Sequence, residues 1–144
     1  MNLNKKHLAK TFWALVIVFI IIVSYFFIPY LHELKRAFLP YMAIIGIIFF
    51  ILGGILIYLT YKLKIKGKQK LFLILTGATP IAFLVSVILH NLVYALMIVL
   101  LGENFWGVGG DEVFFFTLGL VVCPIIFLVS VVWSIVLMYR KGMN

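Results

Sequence analysis

Four uncharged apolar runs dominate the chain, roughly Thr11 to Tyr30, Leu39 to Tyr61, Leu71 to Leu101 and Val113 to Tyr139. The short stretches between and beyond them carry all the Lys, Arg, Asp and Glu. About 20 helical residues cross the roughly 30 Å hydrocarbon core of a bilayer, so each run is long enough to span one. Lipid offers no partner to backbone N–H and C=O groups, and the alternation of a barrel strand is absent, so helices are predicted. The expected fold is an all-α, polytopic four-helix membrane bundle forming a single integral membrane domain over 1–144.

The third run is too long for its task. Its 31 residues, at 1.5 Å each, make a helix of about 46 Å. Thr76-Gly77-Ala78-Thr79-Pro80 is the predicted bend, because Pro80 lacks a backbone donor and its ring crowds the carbonyl four residues earlier. An echo links this run to the fourth. Pro80-Ile-Ala-Phe-Leu-Val-Ser-Val87 recurs as Pro124-Ile-Ile-Phe-Leu-Val-Ser-Val131, seven identities in eight at a spacing of 44. The two copies run in opposite directions, as inverted repeats do, although an apolar alphabet of few letters also repeats by chance. Either way, an antiparallel pairing of runs three and four is expected.

Composition sharpens this reading. The chain is 66% hydrophobic and 11% charged, where soluble domains carry about a quarter charged residues. The net charge of +8 does not signal nucleic acid, because Lys and Arg sit only at segment ends. Ten of them (Lys5, Lys6, Lys10, Lys62, Lys64, Lys66, Lys68, Lys70, Arg140, Lys141) fall on one side of a four-pass topology, and only Lys35 and Arg36 on the other. The positive-inside rule then predicts both termini and the central loop in the cytoplasm of a multi-pass cell-membrane protein. The first run, at about 19 apolar residues, exceeds the 7–15 of a signal peptide and is expected to remain as an anchor. The alternation of Lys62 to Lys70 with Leu63, Ile65 and Gly67 would also suit anionic lipid headgroups. Cys123 is the only cysteine, so no intrachain disulfide or cysteine-based zinc cage can form.

Candidate chemistry is sparse, and no catalytic, cofactor or metal site is expected. Charges are absent from the four runs, which argues against a proton-driven pump. Ser86, His90 and Tyr94, at i, i+4 and i+8, share one helix face with Asn91 beside them. That face is either a ligand patch or a set of interhelical hydrogen bonds. The loop from Gly102 to Glu112 adds Glu103, Asp111 and Glu112. Its acids either attract a cation or favour the positive end of the fourth helix, with Asp111 and Glu112 in its first turn. Gly119, Cys123, Ser130 and Ser134 make one stripe of small residues, and Gly46, Gly53 and Gly54 another; both are expected at helix contacts.

Over Lys68 to Leu137, the segments Phe72-Leu-Ile-Leu-Thr-Gly-Ala78, Leu89-His-Asn91, Gly110-Asp-Glu112 and Val122-Cys-Pro124 resemble a group of small prokaryotic multi-pass membrane proteins that have no assigned activity. The resemblance implies an all-helical prokaryotic membrane protein and no chemistry. Two function classes follow. One is a non-enzymatic accessory subunit or scaffold acting through helix packing, as a homo-oligomer or within a larger membrane complex. The other is a small oligomeric transporter or channel lined by the Ser86, His90, Asn91 and Tyr94 face.

Overall fold

The computed structural model describes residues 3–27, 32–107 and 110–140. Helix α1 (Leu3–Phe27) is followed by α2 (His32–Lys62) and α3 (Lys68–Leu101), then α4 (Val113–Thr117) and α5 (Cys123–Arg140). A π-helical turn over Leu118–Val122 joins the last two into one rod. No strand occurs among the described residues, and four helices are long and apolar enough to cross a membrane. The expected loop before Leu39 is shorter than predicted. Backbone helix already begins at His32, where Glu33, Leu34, Lys35, Arg36 and Ala37 are all good helix formers, and it continues through Pro40.

Each helix is apolar all round, yet the bundle sorts its faces. Leu8, Phe12, Leu15 and Phe19 of α1 are buried at helical spacing, while Trp13, Ile17, Ile20 and Ile21 face outwards. The interior collects small and polar side chains, with Thr60, Gln69, Thr76, Thr79, Ser86, Ser130 and Ser134 all buried. The outer surface is rich in Ile, Leu and Val, with Ile44, Ile47, Ile48, Ile51 and Ile55 on α2 alone. In water this arrangement would be inside out. It suits a hydrocarbon surround, where small residues let backbones approach and polar ones bond across helices.

A close backbone approach demonstrates the first effect. A Cβ built on Gly53 of α2 would lie 2.5 Å from the carbonyl oxygen of Gly77 on α3, and one on Gly77 would lie 2.7 Å from that of Gly53. The two helices therefore cross back to back at a glycine pair. The predicted glycine stripe on α2 divides here, because Gly46 and Gly54 have nothing within 4 Å of a built Cβ. On the α4–α5 rod the other stripe holds, with Gly119 of the π-turn and Cys123, Ser130 and Ser134 of α5 all buried.

Helix α3 packs antiparallel to the α4–α5 rod, as expected. A Cβ on Gly119 would meet that of Ser86 at 3.3 Å, Thr76 Oγ1 lies 3.0 Å from Ser130 Oγ, and the rings of Phe72 and Trp133 stack at 5.7 Å. Each step back along α3 is thus matched by one step forward along α5. This register sets Pro80 level with Pro124, and Ser86 and Ser130 fall on opposite sides of that level.

The two prolines are accommodated differently. Helix α3 runs unbroken as α-helix through Pro80 for 34 residues, about 51 Å. Before Pro124 the rod widens instead, and the Cys123 N–H reaches five residues back to the Leu118 carbonyl. The wider turn relieves the clash of the proline ring with the carbonyl four residues earlier.

Candidate functional site

Helix α3 delivers Ser86, His90 and Tyr94 to one face, and that face meets α4 and the loop before it. Ser86 is buried against Gly119. His90, one turn on, has Nδ1 3.1 Å from the Glu112 backbone carbonyl and 3.3 Å from its Oε2. Both partners are acceptors, so Nδ1 carries the proton and donates. Nε2 lies 3.6 Å from Asp111 Oδ1, too long for a hydrogen bond though within ion-pair reach. One turn further, Tyr94 stacks on Trp106 at 5.9 Å, and the indole Nε1 donates to the Tyr94 carbonyl at 3.3 Å. These contacts in succession staple the loop to α3.

Glu112 is the centre of this arrangement. It is the N-cap of α4 rather than a member of its first turn. Oε1 accepts from the Phe114 N–H at 2.7 Å and the Phe115 N–H at 3.1 Å, while Oε2 accepts from Phe115 at 2.9 Å and Phe116 at 3.4 Å. The first N–H groups of a helix have no partner within it, and one carboxylate here serves three. Desolvation pushes the Glu112 carboxyl up, but hydrogen bonds from Phe115, His90, Phe114 and Phe116 outweigh it and hold the group below the usual carboxylate range. Asp111, half exposed, accepts from the Glu112 N–H at 2.8 Å.

Two predicted members stand apart. Asn91 is exposed and its Nδ2 donates to the Val87 carbonyl at 2.8 Å, within its own helix. Glu103 is exposed in the turn after α3. Among the described residues no group of three His, Cys, Asp or Glu side chains is placed to hold a metal ion.

A second polar constellation lies deeper. Thr76 Oγ1 is within 2.8 Å of the Phe72 carbonyl as well as 3.0 Å of Ser130 Oγ, which in turn donates to the Phe127 carbonyl at 2.9 Å. Two hydroxyl protons face three contacts, so Thr76 shares one proton between two acceptors. Ser134, one turn along, is buried, and its Oγ has no hydrogen-bond partner among the described residues. In the sequence Thr76 belongs to the predicted bend, and Ser130 to a stripe of small residues and to the proline-led repeat. The signal that would have joined them was the proline-led repeat, read as a register.

A third feature was not foreseen. Between α1 and the α4–α5 rod lies an apolar cleft of about 670 Å³, walled in part by Phe19, Val23, Phe83 and Val121. Cys123 lines it as well, as a free, buried thiol.

Compared with protein-family models, with curated proteins and with solved structures, the chain matches none.

Proposed function

We propose that the chain is a four-pass integral protein of the cell membrane that performs no chemistry of its own and serves as a scaffold or accessory subunit of a membrane complex. The observation that carries this reading is that His90, Thr76 and Ser86 of α3 are engaged inside the molecule. His90 is held by Glu112, Thr76 by Ser130, and Ser86 lies beneath Gly119. What remains for a partner is the outer helix surface and the two loops. The test is reconstitution. His90→Ala should change stability or recovery of a copurifying partner, and leave proteoliposome flux at the background of empty vesicles. An ion or solute flux in the wild type that His90→Ala abolishes would overturn the reading.

Both termini and the Lys62–Lys70 loop belong on the cytoplasmic side in this proposal, against the anionic headgroups there. The loop geometry supports it. Leu63 and Ile65 pack against the core, whereas Lys62, Lys64, Lys66 and Lys68 are exposed. Lys70 Nζ sits 4.4 Å from the Tyr61 ring centroid and Lys62 Nζ 5.5 Å from that of Tyr58, so the cations are held over aromatics near the helix ends. Each Lys near an anionic surface contributes about 1 kcal/mol. Maleimide labelling checks the orientation: in intact cells Glu103→Cys should react with a membrane-impermeant reagent and Lys66→Cys should not. The reverse pattern would refute it.

A further inference from the structure

We infer that the lysine-rich ends of α2 and α3 form a headgroup site for one acidic phospholipid, built from Tyr58, Tyr61, Lys62 and Lys70. The charge of the chain is sorted end from end. Glu103, Asp111 and Glu112 stand at the far end of the bundle, where the only ion pairs among the described residues join Asp111 and Glu112 to His90. Glu33, the one remaining acid, is the second residue of α2, 29 residues before Lys62 and so roughly 44 Å away along the helix. No loop lysine therefore has a carboxylate of its own chain within reach. Lys68 and Lys70 also stand in the first turn of α3, where the helix dipole disfavours cations and no acid offsets them. Five lysines within nine residues are thus left to be neutralised by an anion from outside.

The site is narrower than the loop. Tyr58, Tyr61 and Lys62 follow at i, i+3 and i+4 on one outward face of α2, with both rings more than half exposed. Lys62 Nζ lies over the Tyr58 ring, and Lys70 reaches across from α3 to lie over that of Tyr61. Each ring holds an ammonium against the side of the bundle and carries a phenol O–H, a second donor for a phosphate oxygen. Lys64 and Lys66, exposed in the turn between the helices, lie over no ring among the described residues. From Tyr58 the same face of α2 continues into apolar surface through Ile55 and Ile51, both exposed. An occupant that presents an anion to the lysines and hydrocarbon to Ile55 and Ile51 has the build of a phospholipid. A zwitterionic headgroup would bring an ammonium for which no carboxylate is at hand, whereas an acidic one such as phosphatidylglycerol brings none. The inference rests on the bilayer placement proposed above and narrows its general attraction to headgroups to one site; it is independent of the scaffold role.

The experiment titrates the full chain in dodecyl maltoside with dioleoylphosphatidylglycerol or dioleoylphosphatidylcholine and counts retained lipids by native mass spectrometry. The wild type should retain one phosphatidylglycerol and bind phosphatidylcholine about tenfold more weakly. Lys62→Gln with Lys70→Gln should weaken phosphatidylglycerol binding about thirtyfold, and Lys70→Gln alone about fivefold. Lys64→Gln with Lys66→Gln makes the same change of charge and should weaken it by less than about threefold. Equal retention of the two lipids, equal losses in the two double variants, or displacement of the lipid by inorganic phosphate or an oligoglutamate peptide at matched charge would each overturn the inference. The lipid preference of the wild type and its loss in Lys70→Gln carry the test where a double variant fails to fold. Binding is read in detergent, so it can fail while the maleimide pattern holds, and the maleimide pattern can fail while binding holds.

Discussion

The glycine crossing of α2 and α3 gives the sharpest prediction, because the obstacle is backbone rather than a movable side chain. In Gly53→Ala the new methyl would lie 2.5 Å from the Gly77 carbonyl oxygen, against the 3.4 Å at which ordinary contact begins. The helices must therefore part by about 0.9 Å, and Pro80, with ring atoms at 3.2 and 3.3 Å from the same methyl, blocks a sideways escape. Overpacking of this kind costs about 1–3 kcal/mol, offset in part by the 0.5–1 kcal/mol that Ala gains over Gly within a helix. Gly54→Ala, one residue away with open space around it, has the gain and no cost. Thermal unfolding in detergent, followed by tryptophan fluorescence, should place Gly53→Ala below the wild type and Gly54→Ala level with it or above. Equal effects at both positions, or a Gly53→Ala protein as stable as the wild type, would refute the back-to-back crossing.

Three further outcomes are expected. Ser134→Ala removes a buried hydroxyl without a partner and should leave stability unchanged or raise it by up to about 1 kcal/mol, whereas Ser130→Ala should lower it by about 0.6–2 kcal/mol; the same unfolding assay separates them. Because hydrogen bonds hold the Glu112 carboxyl below the usual range, its cap is at full strength above about pH 4.3 and is lost as pH falls through the lowered value. Hydrogen exchange at the Phe114 to Phe116 amides should therefore be protected at neutral pH and lose part of that protection in acid, while Glu112→Gln should exchange faster throughout with that acid step gone. Trp106→Ala should release the loop from Tyr94 and raise exchange at Glu103 to Gly107 without altering α5, an outcome that equal loosening of both would contradict.

The sequence made the all-helical fold, its four membrane-length apolar helices and the pairing of α3 with α5 legible, because run length and charge placement are strong one-dimensional signals. The face bearing Ser86, His90 and Tyr94 was legible too, since spacing alone puts i, i+4 and i+8 together. Asn91 was not separable from that face by spacing, and only its bond to Val87 sets it apart. The role of Gly77 was hidden because a glycine's partner lies on another helix, and at Gly53 the crossing depends on which side α2 turns. Pro80 and Pro124 open near-identical octapeptides, yet one helix carries on unchanged and the other inserts a π-turn. In the stretches immediately before the prolines, Leu73 to Thr79 and Thr117 to Cys123, the two runs share no residue at the repeat's spacing. The cleft was invisible for a plainer reason: it is made by what α1 and α5 fail to touch.

The register of the two prolines has a mechanical consequence. A helix resists bending through its ladder of hydrogen bonds, and each proline removes one rung. Here the missing rungs of α3 and of the rod lie on either side of a single height, one reaching back to Thr76 and the other to Leu120, beside a π-turn that has already loosened its own ladder. Stiffness in that pair is therefore lowest at one plane, with rigid half-helices above and below it. A lean of the upper halves about this plane would carry Val121 away from Ile20 across the cleft, while Leu8, Phe12 and Leu15 in the core below stay in place.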